Sequence, residues 1–199
     1  MCSSDLVGDE GMLTSPSDRM VYECDAYTIE KLVPDVVVLP ANRDEVVAVV
    51  KLCREYGVPF VPRGAGTSLA GGTVPVGGGV MITLTRMNRI LEIDAGNMTL
   101  RVEAGTTWRQ VHDALAPLGL RTPFWGPLSG LASTVGGALS QNSTFFGAGI
   151  HGPSPDSVLA LSVVLADGSI LRTDHHRADG TFHAFRSYGP DLTGLFLGD

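Results

Sequence analysis

Cysteine, positive charge and long apolar runs are all scarce in this sequence of 199 residues. Its three cysteines, Cys2, Cys24 and Cys53, are scattered and lack C-x-x-C spacing. That speaks against a disulfide framework and a structural zinc site, and it suits a reducing compartment. The longest apolar runs are strand-sized, so no segment reads as a membrane span. No charged n-region, apolar h-region and cleavage pattern opens the chain, and the expected location is the cytoplasm. With 14 Lys and Arg against 21 Asp and Glu, the formal net charge of −7 argues against general nucleic-acid binding. A hydrophobic fraction of 44% with 18% charged residues is that of a globular chain, long enough for one or two compact units.

Glycine is plentiful, with 25 residues, and its densest use is Pro62-Arg63-Gly64-Ala65-Gly66-Thr67-Ser68-Leu69-Ala70-Gly71-Gly72. The stretch follows the apolar run Val58–Val61, which reads as a strand. Little side-chain bulk stands there, so backbone N–H groups can approach a ligand closely and form an anion-binding nest. Arg63 is read as a cation at its mouth, and a pyrophosphate is the simplest ligand. Two common motifs fail on it. G-x-G-x-x-G meets Leu69 at its third glycine, and the Walker A pattern meets Gly72 where its lysine belongs. An ordinary Gly-rich connection is the competing reading of this loop taken alone.

Around the loop the elements read in order. Residues 1–24 lack periodicity and suggest a mobile or loosely docked arm. Val36–Leu39 is a buried strand closed by Pro40. Asn42 and Glu45 form the capping box of a helix whose buried face is Val46, Val49, Val50 and Cys53, with Gly57 as its stop. Cys53 is therefore a small core residue. Val80–Leu84 and Thr99–Ala104 read as strands. Thr107 and Gln110 cap a helix with Val111, Ala114, Leu115 and Leu118 on one side, Pro117 fraying its last turn and Gly119 ending it. His112 on that helix faces solvent or a surface partner. A strand, an Asp167-Gly168 turn and a returning strand span residues 156–172. Arg172 to Arg186 is expected to be a loop, and adjacent His175 and His176 do not suit a shared metal. No metal site is expected. Asp191 would cap a short apolar helix.

A second small-residue stretch runs from Gly126 to Gly152. Hydroxyls at Ser133 and Thr134 can cap a short helix, and Gly136 and Gly137 let a flat group lie against backbone. In this order, Pro62 to Ser68, then Pro127 and Ser129 with Ser133-Thr134-Val135-Gly136-Gly137-Ala138, the sequence resembles the flavoproteins of the vanillyl-alcohol oxidase / p-cresol methylhydroxylase family. The branch it is most similar to holds the glycolate oxidase flavin subunit and D-lactate dehydrogenase. Residues 156–172 and Asp191–Gly198 extend the resemblance, which runs from about Asp25 to the end. Asn142 to Gly152 is a looser match: Ser143 and Thr144 replace a small pair, and His151-Gly152 stands where an aromatic and glycine are common.

The resemblance implies an α+β fold: a p-cresol methylhydroxylase-type FAD-binding domain over 25–199, after the arm of 1–24. It divides into a small parallel βαβ lobe over about 34–94 and a lobe with an antiparallel sheet over about 95–199. FAD would lie between the lobes. The cofactor-binding residues it implies are Pro62, Arg63, Gly64, Ala65, Gly66, Thr67, Ser68, Gly71, Pro127, Ser133, Thr134, Gly136, Gly137, Ser140, Asn142, His151 and Gly152. Thr67 stands where covalently flavinylated members have histidine, so FAD is expected to be non-covalent. Such proteins oxidise a 2-hydroxy acid such as D-lactate or glycolate to the 2-oxo acid and pass electrons to an acceptor that the sequence does not name. The family's substrate-binding cap domain and final strand are not in the sequence, so the domain is expected to be C-terminally incomplete, with its catalytic residues elsewhere. Two other readings stay open: the same flavin fold with alkyl-glycerone-phosphate synthase-like or reductase-like chemistry, and a catalytically silent FAD-binding fragment.

Overall fold

A computed structural model describes residues 4–125, 128–176, 182–183 and 190–198. Its centre is a sheet of β1 (Met12–Leu13), β2 (Val36–Val38), β3 (Phe60–Arg63) and β4 (Val80–Thr83), in the order β1-β2-β4-β3. β2, β4 and β3 are parallel, and β1 adds antiparallel to β2. Side chains alternate across these strands. Val38 and Ile82 face one side with Val36, Val80 and Phe60, while Val37 and Met81 are fully buried on the other. Both faces are therefore covered, as β-branched runs of this kind require.

The helix crossing from β2 to β3 is α3 (Arg43–Tyr56), and α1 (Ser4–Val7) and α2 (Pro16–Met20) precede it. Asn42 Oδ1 accepts the Glu45 N–H at 3.0 Å. The Glu45 carboxylate returns to the Ala41 N–H at 2.7 Å and to the Asn42 side-chain amide, one residue earlier than a standard box. Val49, Val50 and Cys53 are buried against Val38 and Ile82, and burial pushes the Cys53 thiol pKa up. Gly57 closes the helix at φ 63. The following strand begins two residues later than the sequence suggests, because the Val58 N–H is taken by Cys53 O at 2.8 Å. Pro62 is accommodated because β3 is an edge strand.

Parts of the segment expected as a mobile or loosely docked arm pack against the sheet and α3. Val7 is buried in the same core as α3, Leu6 and Met12 pack on it, and Arg19 donates to the carbonyls of Thr14, Pro34 and Asp35. A two-residue strand has no period to read; its position is fixed by pairing with β2.

β5 (Ile90–Asp94) and β6 (Thr99–Val102) form a hairpin that straddles the expected lobe boundary at 94/95. α4 (Trp108–Leu115) carries the full Thr107–Gln110 capping box and buries Trp108, Val111 and Leu115, while His112 is exposed. Residues 116–118 tighten into a 3₁₀ turn around Pro117 and leave Leu118 exposed. α5 (Val135–Ser140) and α6 (Ala148–His151) follow. β7 (Ser162–Val164) and β8 (Ile170–Arg172) pair around Asp167-Gly168, and Val164 packs on the α3 core. β9 (His175–His176) and β10 (Phe182–His183) pair antiparallel where a loop was expected. The fold is thus α+β, and apart from the β1–β2 pair its antiparallel pairing among the described residues lies in three two-stranded ribbons. Asp191 accepts the Gly194 N–H at 2.9 Å, but the element that follows is a 3₁₀ turn at Gly194–Phe196 with Thr193 in the N-cap position, not a helix capped by Asp191.

Candidate functional site

The C-terminal end of β3 delivers the glycine loop to the start of α5, and the two segments meet at van der Waals distance. A Cβ on Gly64 would stand 2.3 Å from Thr134 Oγ1, so only glycine allows that approach. Between them lies an open cleft of about 90 Å³. Gly64, Ala65, Gly66, Thr67 and Ser68 form one wall, and Ser133, Thr134, Gly137 and Ala138 form the other. This volume is well below the roughly 300–1,000 Å³ of a pocket for a whole small molecule. It is a cradle for one polar part of a longer ligand.

The two walls offer different chemistry. No protein acceptor takes the backbone N–H of Ala65, Gly66, Thr67 or Ser68 among the described residues. Four consecutive donors without a protein acceptor, on residues that line a cleft, are the material of an anion nest, with the Thr67 and Ser68 hydroxyls beside them. The start of α5 does not. Its first N–H groups are already engaged: Val135 with Thr106 O at 2.8 Å, Gly136 with Ala104 O at 2.8 Å and Gly137 with Thr134 Oγ1 at 3.2 Å. This second wall therefore offers the hydroxyls of Ser133 and Thr134 and the low profile of Gly137 and Ala138, not backbone donors.

Several residues sit elsewhere than the sequence suggests. Arg63 is buried behind the loop and outside the cleft lining, donating to Cys24 O at 2.9 Å and Thr73 Oγ1 at 3.2 Å. Burial pushes its guanidinium pKa down, and the field of Asp25 opposes that shift. It is not a cation at the mouth, because the carbonyl of Cys24 draws it inward. Gly136 lies against Ala104, where a Cβ would come within 2.8 Å of the Ala104 Cβ. Ser140 bonds back to Gly136 O at 2.9 Å. Pro62, Gly71, Asn142, His151 and Gly152 also lie outside the cleft lining. Asn142 is left-handed at φ 49 and packs beside Gly198, and His151 is the exposed last residue of α6. Pro127 falls outside the described residues.

The structure adds Thr73, Ala138, Gln141, Ser143 and Phe145 to the lining. Gln141 Nε2 donates to Ser68 Oγ, bridging the two walls across the cleft. No sequence signal marked it, since its partner lies far away in the chain. Phe145 stacks edge-on with Trp108, at 5.7 Å between ring centroids, and so links the cleft to the core of α4. The donor set fits a diphosphate. Unpaired N–H groups, hydroxyls and small residues would hold its oxygens, and no carboxylate lines the cleft to repel them.

Comparison with known proteins agrees with this geometry. A family model described as FAD binding domain matches residues 34–174. The glycolate oxidase subunit GlcD of Bacillus subtilis is 39% identical over 191 residues, covering 96% of this chain and 39% of its own length. The D-lactate dehydrogenase of Anaerostipes hadrus is 38% identical over 194 residues, covering 97% of this chain and 38% of its own. Among solved structures, 4-ethylphenol oxidase from Gulosibacter chungangensis superposes with a TM-score of 0.83 at 25% identity, over 98% of this chain and 38% of that one. The chain thus spans about two fifths of the length of these relatives. With the family model covering most of its residues, this chain belongs to the FAD-binding domain family.

Proposed function

We propose that the chain is the flavin-holding part of an FAD-dependent oxidoreductase that converts a 2-hydroxy acid, of the glycolate or D-lactate type, to the 2-oxo acid. The observation that carries the cofactor assignment is the run of unpaired N–H groups from Ala65 to Ser68, facing hydroxyls across a cleft that only glycine at position 64 permits. The substrate class rests on the glycolate oxidase and D-lactate dehydrogenase relatives. Bound FAD supplies hydride-accepting redox chemistry. The chain's own residues bind and orient. Ala65–Ser68 hold the diphosphate, Ser133 and Thr134 supply hydroxyls from the other wall, and Gln141 closes the span to Ser68.

FAD is held without a covalent bond, because Thr67 offers no nucleophilic nitrogen at the loop. The parallel sheet with α3 and the segment carrying α4 and α5 act as two lobes around the cofactor. Cytoplasmic residence is the accompanying reading. It is supported by the cysteine pattern and by the fact that no helix among the described residues is long and apolar enough to cross a membrane.

The test is to add FAD to the purified chain, remove the excess by gel filtration and record the visible spectrum. Retained flavin absorbance supports the cofactor site, and a folded but colourless protein overturns it. Denaturing mass spectrometry should then show the bare polypeptide mass; a mass raised by FAD overturns non-covalent binding. Bleaching of the bound flavin by glycolate or D-lactate without oxygen supports the substrate class. Retention without bleaching would leave this chain a binding module only.

A further inference from the structure

Arg63 is the least expected feature of the site. It ends β3, directly before the glycine loop, and is buried, yet it points away from the cleft. Its Nη1 reaches Cys24 O and Thr73 Oγ1, its Cζ lies 5.5 Å from the Tyr22 ring centroid, and its guanidinium lies against Gly66. A Cβ on Gly66 would be 2.0 Å from Arg63 Nη2, so the loop's apex rests directly on the guanidinium. The same N-terminal segment reaches the loop a second time. Asp25 is buried, accepts the Tyr27 N–H at 2.8 Å, and so sets Tyr27, whose ring lies 3.3 Å from where a Cβ on Gly71 would be. Asp25 Oδ2 has no hydrogen-bond partner among the described residues, and Arg63 feels its charge.

Arg63 therefore ties together the loop's beginning, its apex at Gly66, its far side at Thr73 and the segment 22–27. We propose that Arg63 is a positioning residue that props the glycine loop from behind in its anion-cradling shape, and that residues 22–27, by fixing Arg63, are a working part of the cofactor site. A guanidinium is well suited to such a prop, being planar, carrying several fixed donors and stacking on an aromatic face. Its charge never needs to touch the ligand. This inference rests on the cofactor reading above and assigns to a segment outside the matched family region a role in binding.

The experiment is a double-mutant cycle read by FAD affinity at a temperature well below unfolding, on wild type, R63A, G66A and R63A/G66A, with R63K as the conservative variant. Expected are a loss of about tenfold or more for R63A, partial recovery in R63K and a similar loss for G66A. In the R63A background the steric clash is gone and only the strain of alanine at φ 68 remains, so G66A should cost clearly less there than in wild type. Additive losses would mean that Arg63 grips the ligand directly or only stabilises the fold, and would overturn the proposal. Should R63A fail to fold, D25N and Y22L perturb the prop from the far side and should weaken FAD several-fold; unchanged affinity in both overturns it. Should wild type bind no FAD, the cofactor reading fails separately. The prop is then judged on the FAD-free chain by the amide cross-peaks of Gly64 and Gly66 in D25N: displaced peaks support it, and unmoved peaks overturn it.

Discussion

The contact between Gly64 and Thr134 should show itself as a mutation that a second mutation repairs. Gly64 is not among the glycines with positive φ, so its backbone would accept alanine without torsional strain. The obstacle is steric. The new Cβ would be 2.3 Å from Thr134 Oγ1, about 1 Å inside ordinary van der Waals contact, but 3.5 Å from the Thr134 Cβ. Thr134 cannot turn away cheaply, because Oγ1 also accepts the Gly137 N–H at 3.2 Å and caps α5. Overpacking of this kind costs about 1–3 kcal/mol, and loss of a threonine cap costs about 1 kcal/mol. G64A alone should therefore destabilise by about 2 kcal/mol, or roughly 4–8 °C in Tm for a chain of this size. T134A alone should cost about 1 kcal/mol. In G64A/T134A the clash is gone and only the lost cap remains, so the double variant should be more stable than G64A. G64A/T134S keeps the hydroxyl and should gain little. Urea unfolding of all four variants at one temperature, with unchanged m, measures the coupling. A double variant as unstable as the sum of its parts would refute the contact.

Other perturbations probe the rest of the molecule. V7A removes two methyl groups from the core beneath α3 and should cost about 2 kcal/mol; wild-type stability in thermal melts would mean that the N-terminal segment is not docked. G105A places a Cβ 1.9 Å from Leu84 O, a backbone atom that cannot move aside, so it should be among the most destabilising of glycine substitutions. G149A meets nothing within 4 Å and should leave the Tm unchanged or slightly raised. Glu103 accepts hydrogen bonds from the Arg89 side chain and backbone, which hold its pKa below the ordinary value despite partial burial. A carboxylate with a depressed folded pKa contributes stability above its unfolded pKa and loses it as pH falls through the folded one. E103Q should thus lie below wild type in Tm at pH 7, and the gap should close on acidification below about 4.5. A gap independent of pH would refute the ion pair's part.

Local chemistry made much of this legible. Asn42, Gly57, Thr107 and Gly119 act where their side chains or torsions demand, because capping involves only neighbouring residues. The two glycine-rich segments were readable as a pair, and eight of the cofactor-binding residues expected from them line one cleft. What escaped was set by distant partners. The register that makes β1 a strand belongs to β2, and the insertion of β4 between β2 and β3 leaves no mark on either. Arg63 looked like a ligand-facing cation because nothing local shows that the carbonyl of Cys24 would claim it. Nor does anything local show that Gly136 is the point where α5 lies on Ala104.

The occupied N–H groups of α5 explain why two similar-looking stretches do different work. Residues 104–108 run alongside 133–136, and the carbonyls of Ala104 and Thr106 take the donors that a free helix start would have offered. That satisfies the helix and fixes its position, but it removes α5 as a source of backbone donors for an anion. Beyond β3 no strand or helix among the described residues reaches the N–H groups of Ala65 to Ser68, so they are left for a ligand. Unpaired donors on a half-buried loop are costly unless water or a ligand meets them. The loop keeps its shape here because Gly66 rests on Arg63, Gly64 on Thr134, and Ser68 accepts from Gln141. These supports come from the end of β3, where Arg63 is held by the N-terminal segment, and from the two ends of α5. The site is therefore a property of how the parallel sheet, the N-terminal segment and α5 dock together, and a substitution at any of the three interfaces should reach the cleft.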